Sequence, residues 1–411
     1  MLATNAPPDF SVGFGLPFWL DLLRPQFPTI DGDLDTDAVV IGAGIFGLKV
    51  ARYLSHQGVR CIILDAGRVG DGASGRNQGS VNHGASIGYG EAISRYGRER
   101  AKTIWHLGLE NHRLIREQLE DYEIDCGYRE SGFTFLARRD MPNWELKLRE
   151  FRAEYDLLHG DGFAVEYVDE AAAERATGNG VFAGGLKYLT DAQFHSGQYV
   201  IGLAQSVARQ PMVQLFEGAR VRDIVRRGEI TEVSVGDQTV RAHLVFLGLN
   251  ALAPQYVPGL APSLRAERGQ VLITEPVAMR PCSGSFGTDM AWWRDVEEPD
   301  GVFRLLFGGG RVREEPDSLF PQFTADGRSN IRLETAGFSP SLAHQHRLIG
   351  NLRCYFRSIA TSGSRIAGVA CNRSRRMVFP RLVCSTKSAV SMERLDSADG
   401  ATATAMWLRL M

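Results

Sequence analysis

The sequence predicts an α/β + α+β fold, with a parallel sheet that opens the chain and a second, antiparallel sheet further on. Three observations carry this. An apolar run, residues 37–41, breaks into the turn Gly42-Ala43-Gly44-Ile45-Phe46-Gly47 at the head of a helical pattern. A second run, residues 60–64, ends on a carboxylate, Asp65, 23 positions after Gly42. Helical stretches and short β-rich stretches then follow in turn along 411 residues, enough chain for two domains with large cores.

The opening unit has a physical logic. The first glycine allows the tight turn, the second lets a pyrophosphate approach the backbone, and the third lets helix and strand pack closely. The helix N-terminus then presents unpaired N–H groups and the positive end of its dipole to phosphate. The Asp65 carboxylate is placed to hold a ribose hydroxyl pair. Strand, turn, helix, second strand and terminal acid occur in order, so the segment reads as a Rossmann-like dinucleotide site. A glycine turn that only packs a helix on a sheet is the structural alternative.

Residues 1–33 read as an N-terminal leader with a small aromatic patch, Phe18-Trp19-Leu20. Residues 67–90 form a long glycine-rich loop, and a loop of this length inside a compact domain is usually functional. Residues 91–122 carry a long amphipathic helical pattern, residues 132–138 alternate like a strand, and residues 144–158 return to helix. Helices follow at 169–177 and 196–209, with short strands at 213–216, 230–235 and 244–247. Residues 184–188 read as a turn. Residues 269–275 and 302–308 read as antiparallel strands of a second sheet, and residues 341–355 as a last helix. The domain plan is a discontinuous cofactor domain (34–90, 160–258 and 340–356), a substrate domain (91–159 and 259–339) and an atypical tail (357–411).

The totals exclude several classes. Hydrophobic content of 44%, charged content of 23% and a net charge of −2 are ordinary for a soluble globular protein and give no reason to expect nucleic acid or an anionic membrane as partner. No apolar run reaches transmembrane length, and the first 28 residues lack a signal-peptide pattern. Cys61, Cys126, Cys282, Cys354, Cys371 and Cys384 show no metal spacing, which fits free thiols in a reducing cytoplasm.

A second set of motifs narrows the cofactor. The fingerprint is followed by Gly72-Ala73-Ser74-Gly75-Arg76-Asn77, then Ala219-Arg220-Val221, Gly248-Leu249-Asn250-Ala251 and residues 268–276. In this order the chain resembles the FAD-dependent amine and amino-acid oxidoreductases of the D-amino-acid oxidase superfamily. The Phe18-Trp19-Leu20-Asp21 patch and the glycine box are most similar to the gamma-glutamylputrescine oxidoreductase-like branch. The resemblance implies FAD, with Gly42, Gly44, Gly47 and Asp65 on its dinucleotide. It also implies Ala73, Ser74, Gly75, Arg76 and Asn77 against pyrophosphate or ring, Val221 at the adenine through its backbone, and Asn250 nearby. It implies an amine or amino-acid substrate and oxygen or an electron carrier as acceptor. Candidates for substrate contact are Trp292 and Trp293, as walls for an amine with core packing the alternative for at least one of them, and Arg311, which follows three glycines and either clamps a carboxylate or lies on the surface. His83, in the glycine-rich loop, is a candidate for a catalytic or covalent role, although its spacing from Ser74 departs from the family's covalent-histidine pattern.

The family ends on a W-x-G-x-x-x-x-T-x-D-G-x-P strand and a glycine-rich turn opening a final helix, and neither motif occurs here. From about residue 357 the chain turns Arg- and Ser-rich without periodicity. A shifted reading frame accounts for this. Back-translating residues 368–380 two nucleotides later permits G-x-Q-x-[FILV]-T-A-D-G-V-P, and residues 387–393 permit V-G-G-F-N-G. Two further readings therefore stand beside the enzyme: a non-catalytic relic with a frameshifted C-terminus, and a dehydrogenase that passes electrons to a carrier.

Overall fold

The computed structural model describes residues 18–262, 264, 268–274, 280–289, 291–309 and the strand 383–386. Its first sheet is built on β1 (Leu34–Ile41), which continues through the glycine turn into α1 (Ile45–His56) and β2 (Cys61–Leu64). The sheet runs β8-β2-β1-β11-β10-β9, where β8 is Val213–Phe216, β9 Val221–Arg227, β10 Ile230–Val235 and β11 Gln238–Leu247. The first four are parallel, and β10 and β9 return antiparallel as a meander. The uninterrupted run Ala38-Val39-Val40-Ile41 suits a strand buried on both faces. Ala38 and Val40 join one core with α1 and α6 (Ser196–Ala208), while Val39 and Ile41 join another with Val221, Val233 and Val235.

The second sheet runs β16-β12-β15-β14-β13-β4-β6-β5. Its strands are β4 (Phe133–Arg138), β5 (Val165–Val168), β6 (Phe182–Tyr188), β12 (Arg268–Ile273), β13 (Ser285–Gly287), β14 (Ala291–Glu297), β15 (Phe303–Gly309) and β16 (Val383–Thr386). One face packs Trp293, Phe182, Phe286 and Phe307 with α5 (Glu170–Thr177). The other carries Leu186 and Tyr188 into a core shared with α2 (Tyr89–Tyr96), α3 (Arg98–Asp121) and α4 (Trp144–Gly160). A two-stranded ribbon, β3 (Ser80–Val81) with β7 (Ala192–Gln193), joins the glycine-rich loop to the entry of α6.

Several expectations change. The long helix of residues 91–122 is two helices, because Gly97 sits at φ +82° between α2 and α3, a conformation that favours glycine. Residues 184–188 are the interior of β6 rather than a turn: Gly185 lies where a side chain would overlap the Phe135 carbonyl. β5 and β6 pair into the second sheet although residues 160–258 were expected with the first, so the chain re-enters the first sheet only at β8. The second sheet is not wholly antiparallel, since β13 runs parallel to β4. β9 adds a strand that was not expected, and β11 begins at Gln238, ahead of the expected residues 244–247.

Residues 18–33 of the expected leader pack against the rest of the fold. Trp19 is fully buried, Arg24 pairs with Asp71 at 2.6 Å, and the Phe27 N–H donates to Glu217. The glycine-rich loop of residues 67–90 holds a 3₁₀ turn, Ala73–Gly75, and β3. The helix expected at 341–355 and Arg311 lie outside the described residues, as does the tail apart from β16, which pairs antiparallel with β12.

Candidate cofactor site

The site forms where the sheet changes direction. From β1 the chain moves through α1 to β2 on one side, while β11 lies on the other, and ligands of open α/β sheets bind beyond the carboxyl ends of strands at such a switch point. Two turns meet there. The Gly248 N–H donates to the Ile41 carbonyl at 2.8 Å, and a Cβ on Gly42 would stand 2.7 Å from the Gly248 oxygen. Gly42 has φ +104°, and a side chain on Gly47 would overlap the Gly42 carbonyl. Gly42 and Gly47 are thus required by backbone approach alone.

The glycine box closes over this turn. Ser74 Oγ accepts from the Ile45 N–H at 3.0 Å and so caps the N-terminus of α1, where Gly44 has no side chain to do it. Gly44 itself is extended, and a Cβ there would lie 3.0 Å from Ser74 Oγ. Ala73 opens the 3₁₀ turn, and Gly75 packs on Gly70 with no room for a side chain. Asn77 is spent on the loop: its amide donates to the Ala73 and Ser74 carbonyls, and its Oδ1 accepts from Gly79 N–H. It braces the box instead of reaching outward. Arg76 is buried beside it.

Asp65 receives the Ala43 N–H at 2.8 Å on Oδ2 and the Gly67 N–H at 2.9 Å on Oδ1. Burial pushes its carboxyl above the ordinary range, opposed by these two N–H groups. Each oxygen keeps a lone pair for a hydroxyl donor. Val221 is buried at the start of β9, and its carbonyl accepts from Tyr256 at 2.8 Å. Asn250 is exposed at φ +50°, two residues beyond Gly248.

Three further residues at the loop lie outside the fingerprint spacing. Gln78 Nε2 and Ser80 Oγ, on the stretch that leaves the glycine box, are buried without a hydrogen bond. Arg294, 3% exposed on β14, donates from Nε to the Gln78 carbonyl at 2.8 Å and from Nη2 to the Phe194 carbonyl at 2.9 Å. Its guanidinium lies 5.0 Å from the Trp19 ring. The second sheet therefore pins the loop of the first. Only the long-range contact reveals this, since Arg294 and Gln78 are far apart in sequence.

The remaining sequence candidates separate. Trp293 is fully buried, stacked near Phe182 and Phe286. Trp292 points to the opposite face of β14, half-buried over Gly308. His83 turns to Asp191, its Nδ1 2.6 Å from Oδ1. Cys61, Cys126 and Cys282 are buried free thiols.

A helix N-terminus approached by glycines, a carboxylate at the end of β2, and a wrapping loop with orphaned polar atoms fit a bound dinucleotide. Fold and site define a dinucleotide-dependent oxidoreductase. The family model for FAD dependent oxidoreductases matches residues 37–382, and the chain belongs to that family; its cofactor is FAD. A probable oxidoreductase, OrdL, of Haemophilus influenzae is 29% identical over 299 residues, 71% of this chain and 68% of that protein. Gamma-glutamylputrescine oxidoreductase of Escherichia coli is 26% identical over 300 residues, 71% of this chain and 69% of that one. Glycine oxidase of Geobacillus kaustophilus shares the fold, with a TM-score of 0.63 at 15% identity over 87% of this chain and 84% of that structure. No described helix is long and apolar enough to cross a membrane.

Proposed function

We propose that the protein oxidises a primary or secondary amine, or an amino acid, at its CH–NH bond, in the manner of a gamma-glutamylputrescine-type enzyme. The observation that carries this reading is the similarity to gamma-glutamylputrescine oxidoreductase across most of the chain. Bound FAD supplies a two-electron acceptor for the hydride leaving the substrate α-carbon, and water hydrolyses the resulting imine. The chain's residues bind, orient and exclude water. In this reading Gly42, Gly44, Gly47 and the α1 N-terminus hold the pyrophosphate, and Asp65 accepts the ribose hydroxyls. Ser74, Gln78 and Ser80 meet the cofactor along the loop, and Val221 meets the adenine. Trp292 is the described aromatic candidate for a substrate wall. Oxygen or an electron carrier then takes the electrons.

Anaerobic titration of the purified yellow protein with polyamines, gamma-glutamyl amines, N-methyl glycines and D-amino acids tests this. Bleaching by one of these amines is expected. Flavin that stays oxidised with the whole panel refutes it, and peroxide release on readmitting air separates an oxidase from a dehydrogenase.

A further inference from the structure

Three side chains from separate parts of the chain converge near the end of the glycine-rich loop: His83 two residues after β3, His112 on α3, and Asp191 just before β7. One ligand atom from each lies within 4.8 Å of the others. All are enclosed, with side-chain exposures of 1% for His83 and 2% for His112 and Asp191. His83 and Asp191 satisfy each other through the ring Nδ1 and the His83 N–H, at 2.6 and 3.1 Å to Oδ1. His112 is different. Its Nε2 is 3.8 Å from Asp191 Oδ1, beyond hydrogen-bond reach, and neither ring nitrogen has a hydrogen-bond partner.

A buried polar group left unpaired costs about 1–3 kcal/mol. A position needing only packing is better filled by leucine or phenylalanine. The local sequence instead brings this ring to the cluster. Gly108 is one helical turn before His112 on the same face of α3, and a Cβ there would stand 2.7 Å from the His83 Cβ. Glycine lets the helix backbone close on the loop, which brings the histidine a turn later to 3.8 Å from Asp191.

We propose that His83, His112 and Asp191 bind a divalent transition-metal ion of the Zn²⁺ class, which ties α3 to the end of the cofactor loop. Two imidazole nitrogens and one carboxylate suit such an ion; Ca²⁺ and Mg²⁺ prefer shells of oxygen. Ligand bonds of about 2.0–2.2 Å in a tetrahedral shell place ligand atoms about 3.4 Å apart. Binding therefore opens the His83–Asp191 pair and draws His112 inward, with His83 in the tautomer that carries its proton on Nε2 and leaves Nδ1 free to ligate. Water or the second Asp191 oxygen completes the shell. The role is structural and stands independently of amine oxidation.

The test uses the full chain, stripped by dialysis against a chelator, reloaded with Zn²⁺ or Co²⁺ and desalted. The proposal expects about one ion retained per chain, a higher melting temperature, and Co²⁺ ligand-field absorption at longer wavelength than the flavin bands. His112→Leu is expected to lose the ion and the Co²⁺ bands while keeping its flavin content and far-UV dichroism. Retention no better than in His112→Leu, or a hydrated-Co²⁺ spectrum from the folded wild type, overturns the proposal. If His112→Leu does not fold, wild-type stoichiometry and spectrum decide alone, and failure of either overturns it.

Discussion

His195 makes this protein acid-sensitive through one hydrogen bond. The residue caps α6: its neutral Nδ1 accepts from the Gln198 N–H at 3.1 Å, and its own backbone N–H donates to the Cys126 carbonyl. Its ring meets Trp19 edge-on at 4.6 Å, and the Arg294 guanidinium lies 5.0 Å from the same indole. Burial, helped by Arg294, pushes the His195 pKa down to about 4. Protonation removes the cap acceptor and places a cation at a helix N-terminus beside a buried arginine. In the unfolded chain the ring titrates near 6.5. Between the two values the unfolded state binds more protons, so stability is full above about pH 6.5, falls as the pH drops, and the loss is complete below about pH 4.

At about 1.4 kcal/mol per pH unit the full loss is about 3 kcal/mol, and at about pH 5 it has reached about 2 kcal/mol. That is a large share of the 5–15 kcal/mol typical of a folded domain, about. His195→Asn keeps a side-chain acceptor at the cap without the titration. Urea midpoints of both proteins, measured at about pH 7.5 and about pH 5, cancel the carboxylates common to both. The variant is expected to gain about 2 kcal/mol relative to wild type on acidification. Identical pH dependence in the two proteins refutes the reasoning.

Other perturbations follow from the same contacts. Gly44→Val puts branched carbon against Ser74 Oγ and into the phosphate approach, so the purified variant should fold by far-UV dichroism yet lack FAD by absorbance; normal flavin content would sink the site assignment. Arg294→Met strands the Gln78 and Phe194 carbonyls, at about 1–3 kcal/mol for an unpaired buried group. It should weaken FAD retention at least tenfold, about 1.4 kcal/mol, in an equilibrium flavin titration; unchanged affinity would show that the loop holds itself. Asp169→Ala removes the cap on α5, whose Oδ1 accepts from Ala172 N–H at 2.7 Å, and should cost about 1 kcal/mol by urea unfolding. Sequencing the source DNA tests the frameshift: the closing motifs should be encoded two nucleotides out of phase, and a shifted frame without them rejects it.

Local features were legible where local physics sets them. Gly42, Gly44 and Gly47 stand where strand, turn and helix come closest, and that demand appears in sequence as glycine spacing. The helices 144–160, 170–177 and 196–208 follow from periodicity, and the second is capped by Asp169 at its start. Trp292 and Trp293 look equivalent in sequence. Strand alternation sends one to the core and leaves the other half-buried, and the sheet's neighbours decide which. Asn77 looks like a ligand contact because its type suits one; its amide is consumed by the turn it sits in.

The sequence by itself encoded a dinucleotide site within about thirty consecutive residues, and the resemblance carried by motifs further along narrowed it to FAD. Tertiary structure alone decided which sheet takes β5 and β6, that Arg294 holds the cofactor loop, and that His83 faces Asp191 and His112. Those outcomes depend on strand register and on helices packed from distant parts of the chain. No spacing along a sequence records such a contact until the two sheets have come together.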